Sequence, residues 1–138
     1  MSLKSPEAAV RNVLVSDPAV SAEIADRMYP VLAPASAPLP FITWRRAAVL
    51  RSQSLSGPIG VPTVSMSVDI FAETYEAARE IADKCRLALD GWGGTFQNTV
   101  VSNVSLESES DGFAQLTGGD TPPVYTVSQT YAILWNEI

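Results

Sequence analysis

Val61-Pro62-Thr63-Val64-Ser65-Met66-Ser67-Val68-Asp69-Ile70-Phe71-Ala72-Glu73-Thr74-Tyr75-Glu76-Ala77-Ala78-Arg79-Glu80-Ile81-Ala82-Asp83-Lys84-Cys85-Arg86-Leu87-Ala88-Leu89-Asp90-Gly91-Trp92-Gly93-Gly94 is the stretch that decides the fold. Its first part alternates. Val64, Met66, Val68 and Ile70 share one face, and Thr63, Ser65, Ser67 and Asp69 share the other. Period two with β-branched residues predicts a half-buried strand. At Thr74 the period changes. Ala78, Ala82, Cys85 and Leu89 recur at helical spacing, flanked by Tyr75, Ile81 and Ala88. Thr74 can cap the first turn through its hydroxyl, and Gly91 can end the last turn in the left-handed conformation. A strand therefore feeds an amphipathic helix, over 74–90, that must lie back on a sheet. Small residues at 78, 82 and 85 let it approach closely.

The chain of 138 residues is long enough for one domain with a real core. Its apolar fraction of 46% and charged fraction of 17% are those of a globular protein. No window holds the roughly 18 consecutive apolar residues of a membrane-spanning helix, so no membrane association is expected. Lys4, Glu7 and Arg11 interrupt any apolar signal core at the N-terminus. The net charge of −6, without a basic run, disfavours sequence-independent gripping of duplex nucleic acid.

Working outward on the N-terminal side, Ser5-Pro6-Glu7 opens a helix whose stripe is Val10, Val13 and Leu14. Asp17-Pro18 repeats the start signal for a short second helix through Val20 and Ile24, ending at Met28-Tyr29-Pro30. Both helices fall within 5–28. Four prolines between 30 and 40 then predict an extended connector. Phe41 to Leu50 reads as the first strand, with Ile42, Trp44, Ala48 and Leu50 inward. Arg46 shares their parity, so either a bulge shifts the register or Arg46 lies at a rim. Residues 51–62 form a loop too long for a tight hairpin.

On the C-terminal side, Gly91-Trp92-Gly93-Gly94 is a turn. Asn98 to Glu107 reads as a strand with Val100, Val104 and Leu106 on one face. Residues 108–123 form a second long loop, and Val124 to Trp135 reads as the longest strand. Sheet and central helix together span 41–135. The fold expected is one α+β domain over 1–138. It has two layers: a mainly antiparallel four-stranded sheet with the helices packed on one face.

Little in the chain points to catalysis. With no histidine, the commonest general base and transition-metal ligand is missing, and a Ser-His-Asp triad cannot form. The single cysteine, Cys85, rules out an internal disulfide and reads as a core residue. The Gly91–Gly94 run follows a helix, whereas phosphate cradles precede one. Asp69 with Glu73, and Glu107 with Glu109 and Asp111, are the only carboxylate groupings of interest. Each reads first as surface charge, with a hard-cation site as the sharper alternative. The expectation is no enzyme, no cofactor and no metal.

Several stretches, taken in order, resemble the tail-completion family of long-tailed phages, also called tail terminators or head–tail joining proteins. They are Arg27-Met28-Tyr29-Pro30, Ala37-Pro38-Leu39-Pro40-Phe41-Ile42, Val68-Asp69-Ile70-Phe71-Ala72 with Thr74-Tyr75-Glu76-Ala77-Ala78, Leu87-Ala88-Leu89-Asp90-Gly91, and Tyr131-Ala132-Ile133-Leu134-Trp135. The resemblance covers about Pro6 to Trp135. It implies a structural subunit that assembles with itself as a ring, commonly a hexamer, which caps the tail tube and joins the tail to the head connector. The implied partners are the tail-tube protein and the head–tail connector protein, with DNA passing through unbound. The implied place is the head-proximal end of the virion tail, assembled in the host cytoplasm. A small-ligand-binding or adaptor α+β domain without catalysis is the competing reading, because such folds host many functions. Within the two long loops, the apolar Leu55, Ile59, Phe113 and Leu116 are the candidate interaction residues, since exposed apolar groups on loops gain from a partner's cover.

Overall fold

The computed structural model describes residues 6–31, 38–50, 53–54, 57–58, 63–96, 99–114 and 124–137. In chain order the elements are α1 (Pro6–Ser16), α2 (Pro18–Ile24), β1 (Met28–Pro30), β2 (Phe41–Leu50), β3 (Gln53–Ser54), β4 (Gly57–Pro58), β5 (Thr63–Ala72), α3 (Tyr75–Leu89), β6 (Gly94–Phe96), β7 (Thr99–Ala114) and β8 (Val124–Glu137).

The strand-to-helix stretch forms as its periodicity demands. Val64, Met66, Val68 and Ile70 of β5 are buried, and so are Ala78, Ala82, Cys85 and Leu89 of α3. Thr74 caps the helix by accepting from the Ala77 amide at 3.1 Å. Gly91 follows it at φ +83°, a conformation that costs glycine little. At the other end of the chain, Asp17 caps α2 by accepting from the Val20 amide at 3.1 Å, with Pro18 in the first turn.

The sheet departs from expectation. A mainly antiparallel four-stranded sheet with helices on one face is not what forms. Six strands pair in the order β1-β2-β5-β8-β7-β6, and the sheet is mixed and curled into a half-barrel. The first reason lies at the two flanks. Met28–Pro30 does not merely end a helix; it pairs in parallel with Ile42–Trp44 of β2. Arg27 secures that return of the chain, donating to the Pro40 carbonyl at 2.9 Å and to the Glu23 carbonyl at 3.1 Å. At the far flank Gly94–Phe96 leaves the glycine turn to pair with Thr99–Val101. Gly93 sits so close to β7 that a Cβ there would lie 2.9 Å from the Ser102 carbonyl oxygen. No L side chain fits there without moving backbone.

The second reason is irregularity inside the strands. The register slips between Arg46 and Ala48 in β2, and between Val101 and Asn103 and between Leu106 and Ser108 in β7. Each extra residue bends its strand and adds twist, which curls the sheet. Around Ser102 the slip brings Val101 and Val104 inward together, in place of the Val100 face read from the sequence. Around Ala47 it allows Arg46 to sit at the rim: its Nε lies 3.0 Å from Glu7 Oε1, while its side chain remains 56% exposed. Glu7 itself is buried in the first turn of α1.

Two loop assignments also change. Ser108–Ala114 continues β7, which makes β7 and not β8 the longest strand. Within 51–62, Gln53–Ser54 and Gly57–Pro58 pair as a small separate ladder.

Gln129 is a wholly buried polar residue facing inward from β8. Its amide nitrogen donates to the Ala82 carbonyl at 3.0 Å and to Glu109 Oε2 at 2.7 Å; its amide oxygen accepts from the Tyr131 hydroxyl at 2.7 Å. This network fixes the height of α3 over the sheet, because removing any member strands a buried polar atom. Lys84 adds a surface tie, donating to Glu23 of α2 at 2.9 Å.

Two stability outcomes follow from this packing. Ala82→Leu overpacks the α3 interface and costs about 1–3 kcal/mol, read as a lowered urea midpoint. Gln129→Leu and Tyr131→Phe each cost about 1–3 kcal/mol, and the double variant costs less than the two added, because the stranded partner is gone.

Candidate assembly surfaces

Of the residues proposed from sequence for contacts, Leu55, Ile59 and Leu116 lie outside the described residues. Phe113 lies on β7, opposite Tyr125 of β8, and not in a loop.

The described surface has three parts. The first is the outer face of the sheet, away from the helices. Register and burial place Ser65, Ser67 and Asp69 there from β5, Thr126, Ser128 and Thr130 from β8, and Ser108 and Ser110 from β7. Hydroxyls dominate, and the packing is close enough that Thr43 and Ser67 are buried even here. At one end of this face Phe41 stacks on Phe71 at 4.9 Å between centroids, with Tyr29 edge-on to Phe41 at 6.2 Å. Such pairs fix neighbouring strands in register.

The second part is the β7 edge. Asp111 accepts from the Tyr75 hydroxyl at 2.7 Å, Arg79 reaches the same hydroxyl at 3.4 Å, and Glu109 is held by Gln129. The Tyr75 hydrogen bond, aided by Glu109 and Asp111, raises the Arg79 pKa further. The carboxylates thus serve as hydrogen-bond acceptors for side chains. Among the described residues no group of three metal-capable side chains converges, so the cation alternative for Glu107, Glu109 and Asp111 finds no geometry. Asp69 and Glu73 are likewise not gathered with a third ligand: Asp69 faces outward opposite Thr43, and Glu73 is exposed past the strand end.

The third part is the exposed apolar residues, Val31, Leu87 and Leu134 among them. Leu87 stands on the solvent side of α3, 72% exposed, opposite the Ala82 stripe.

Cys85 lies against the sheet in the core, fully buried. Burial first, and the Asp17 carboxylate second, push its thiol from 9.0 up to about 12. A thiol so placed stays protonated and inert at neutral pH.

The arrangement is a curled six-stranded sheet with two flanks and a hydroxyl-rich outer face. A model of the family described as "Tail completion protein gp17" matches residues 8–133. The chain belongs to that family. This tail-completion protein is therefore a structural protein of the virion tail. A search of curated proteins finds no match. Among solved structures, a chain of the "Virion of native gene transfer agent (GTA) particle" is similar, with a TM-score of 0.74 at 13% identity, covering 96% of this chain and 95% of that one. At that identity the likeness shows a shared fold.

The thiol gives a pH outcome. Below pH ~9 Cys85 is protonated folded and unfolded, and its burial costs nothing extra. Between 9.0 and about 12 the unfolded chain loses the proton and the folded chain keeps it, so stability falls as pH rises. The slope from this group reaches about 1.4 kcal/mol per pH unit. Denaturant titrations from pH 8 to 11 should therefore fall more steeply for the wild type than for Cys85→Ala.

Proposed function

We propose that this tail-completion protein forms a closed ring, a hexamer, that caps the tail tube and joins it to the head connector. The observation that carries this reading is the family match over 8–133, which spans nearly the whole chain. The physics of ending a tube agrees with it. A tube grows through one repeated head-to-tail interface, which is open-ended. A subunit that copies one side of that interface and lacks the other stops growth. Its partners are then its own copies, the tube subunit below and the connector above.

DNA passes through the ring without specific contacts. The net charge of −6 and the near-neutral, hydroxyl-rich sheet face both suit a surface that phosphates do not grip. Residues 51–62, with Leu55 and Ile59, and residues 108–123, with Phe113 on β7 and Leu116 after it, make the inter-subunit or inter-ring contacts in this reading. Free subunits can remain monomeric, because the tube end offers several sites at once and raises the effective concentration.

The test is a particle made without this protein. Overlong or unjoined tails beside filled heads are the expected outcome. Normally joined tails, or a block before the tube grows, overturn the reading.

A further inference from the structure

The two flanks of the sheet share one construction. At each, a three-residue strand covers only the first part of a much longer strand. β1 covers Ile42–Trp44 of β2, and β6 covers Thr99–Val101 of β7. Beyond β6, the end of α3 occupies a little more of the β7 edge. The Gly91 amide donates to the Val104 carbonyl at 2.7 Å, and Asp90 accepts from the Leu106 amide at 3.2 Å. From Ser108 to Ala114, and from Arg45 to Leu50, no described strand lies on the outer side. Among the described residues, each flank thus leaves backbone donors and acceptors for a further strand.

The flanks are opposite in charge. The β7 flank carries Glu107, Glu109 and Asp111, all exposed. The β2 flank carries Arg45 and Arg46, both exposed, Arg46 paired with Glu7. Arg45 makes no ion pair among the described residues, and neither does Glu107.

We infer that the β2 flank of one subunit pairs with the β7 flank of the next copy of this chain, extending one sheet through the ring. The ring itself is the reading given under Proposed function, and this inference rests on it. Charge selects the pairing. Two β7 flanks repel, and so do two β2 flanks, which removes the isologous dimers that free edges otherwise favour. What remains is the head-to-tail contact, the kind that closes into rings. Direction agrees as well. Within a subunit β2 is antiparallel to β5, β5 to β8 and β8 to β7. β2 and β7 therefore run in opposite senses, and two subunits in the same orientation meet as an antiparallel ladder. The open stretches lie at opposite ends of the sheet. Arg45–Leu50 is level with Asn103–Ser108 of β7, whereas the open part of β7 starts at Ser108. Neighbours must then be offset along the strands, and a closed sheet absorbs such an offset by tilting its strands to the ring axis.

The experiment uses two charge reversals, Arg45→Glu and Asp111→Arg, the charges that pairing the two open stretches brings nearest to each other; Asp111 also accepts from Tyr75, and Tyr75→Phe is the control for losing that bond. Circular dichroism melts check that both fold. Subunit association is read by native mass spectrometry, alone and on isolated tail-tube ends. Each single variant should associate at least ~tenfold more weakly than wild type, because every contact then sets like charges together. An equimolar mixture should recover wild-type association, since alternating the two variants restores an opposite pair at every contact. Association untouched by either reversal, or a mixture no better than its parts, overturns the flank pairing while leaving the ring intact. Wild-type protein that forms no oligomer even on tube ends overturns the ring and the pairing with it.

Discussion

Everything in this fold depends on how closely α3 can approach β5 and β8. Three small side chains, Ala78, Ala82 and Cys85, make the contact, and all are fully buried. A larger residue at any of them would push the helix away from Met66, Val68 and Ile70 and open the core. The approach is also keyed. Gln129 reaches across to the Ala82 carbonyl, so the helix cannot slide along the sheet without abandoning a buried donor. α1 and α2 then pack around the seated helix. Arg11 ties the following segment to α1 by donating to the Met28 and Asp26 carbonyls, and Arg27 ties it to α2 by donating to the Glu23 carbonyl.

The parts that could be read from the sequence are those where one period governs an element. β5 and α3 were legible for that reason, down to the Thr74 cap and the Gly91 stop. β1 and β6 were not, because three residues carry no period, and Met28–Pro30 contains a proline that argues against a strand. The true length of β7 was hidden by composition. Ser108-Glu109-Ser110-Asp111-Gly112 looks like a loop, yet it pairs residue by residue with Ser128 and its neighbours. Polar residues tolerate a strand when a partner ladder already exists and both faces are wet. The bulges at Ala47, Ser102 and Glu107 were visible only as a conflict of parity at Arg46. With them the sheet curls, and a flat layered picture fails.

The candidate contact residues were less legible than the fold. Apolar side chains in loops stand out in a sequence as candidate contacts, whereas charge on a sheet edge does not. By spacing alone, Glu107, Glu109 and Asp111 read as surface charge or as cation ligands. In the structure two of them accept hydrogen bonds from Gln129 and Tyr75 instead. Topology decided the matter: only the strand order shows that these carboxylates and the arginines of β2 lie on opposite flanks of one sheet.

The long antiparallel ladders have a mechanical consequence. β5 pairs with β8 from Thr63 to Ala72, and β8 with β7 from Thr99 to Ala114. Tension applied along these strands loads every rung together, so the subunit yields only when many bonds fail at once. Tension applied across them opens one rung at a time, from an end. A subunit so built resists tension along one axis far better than along the other. The direction of any pull on it is then as much a determinant of its endurance as its free energy of folding.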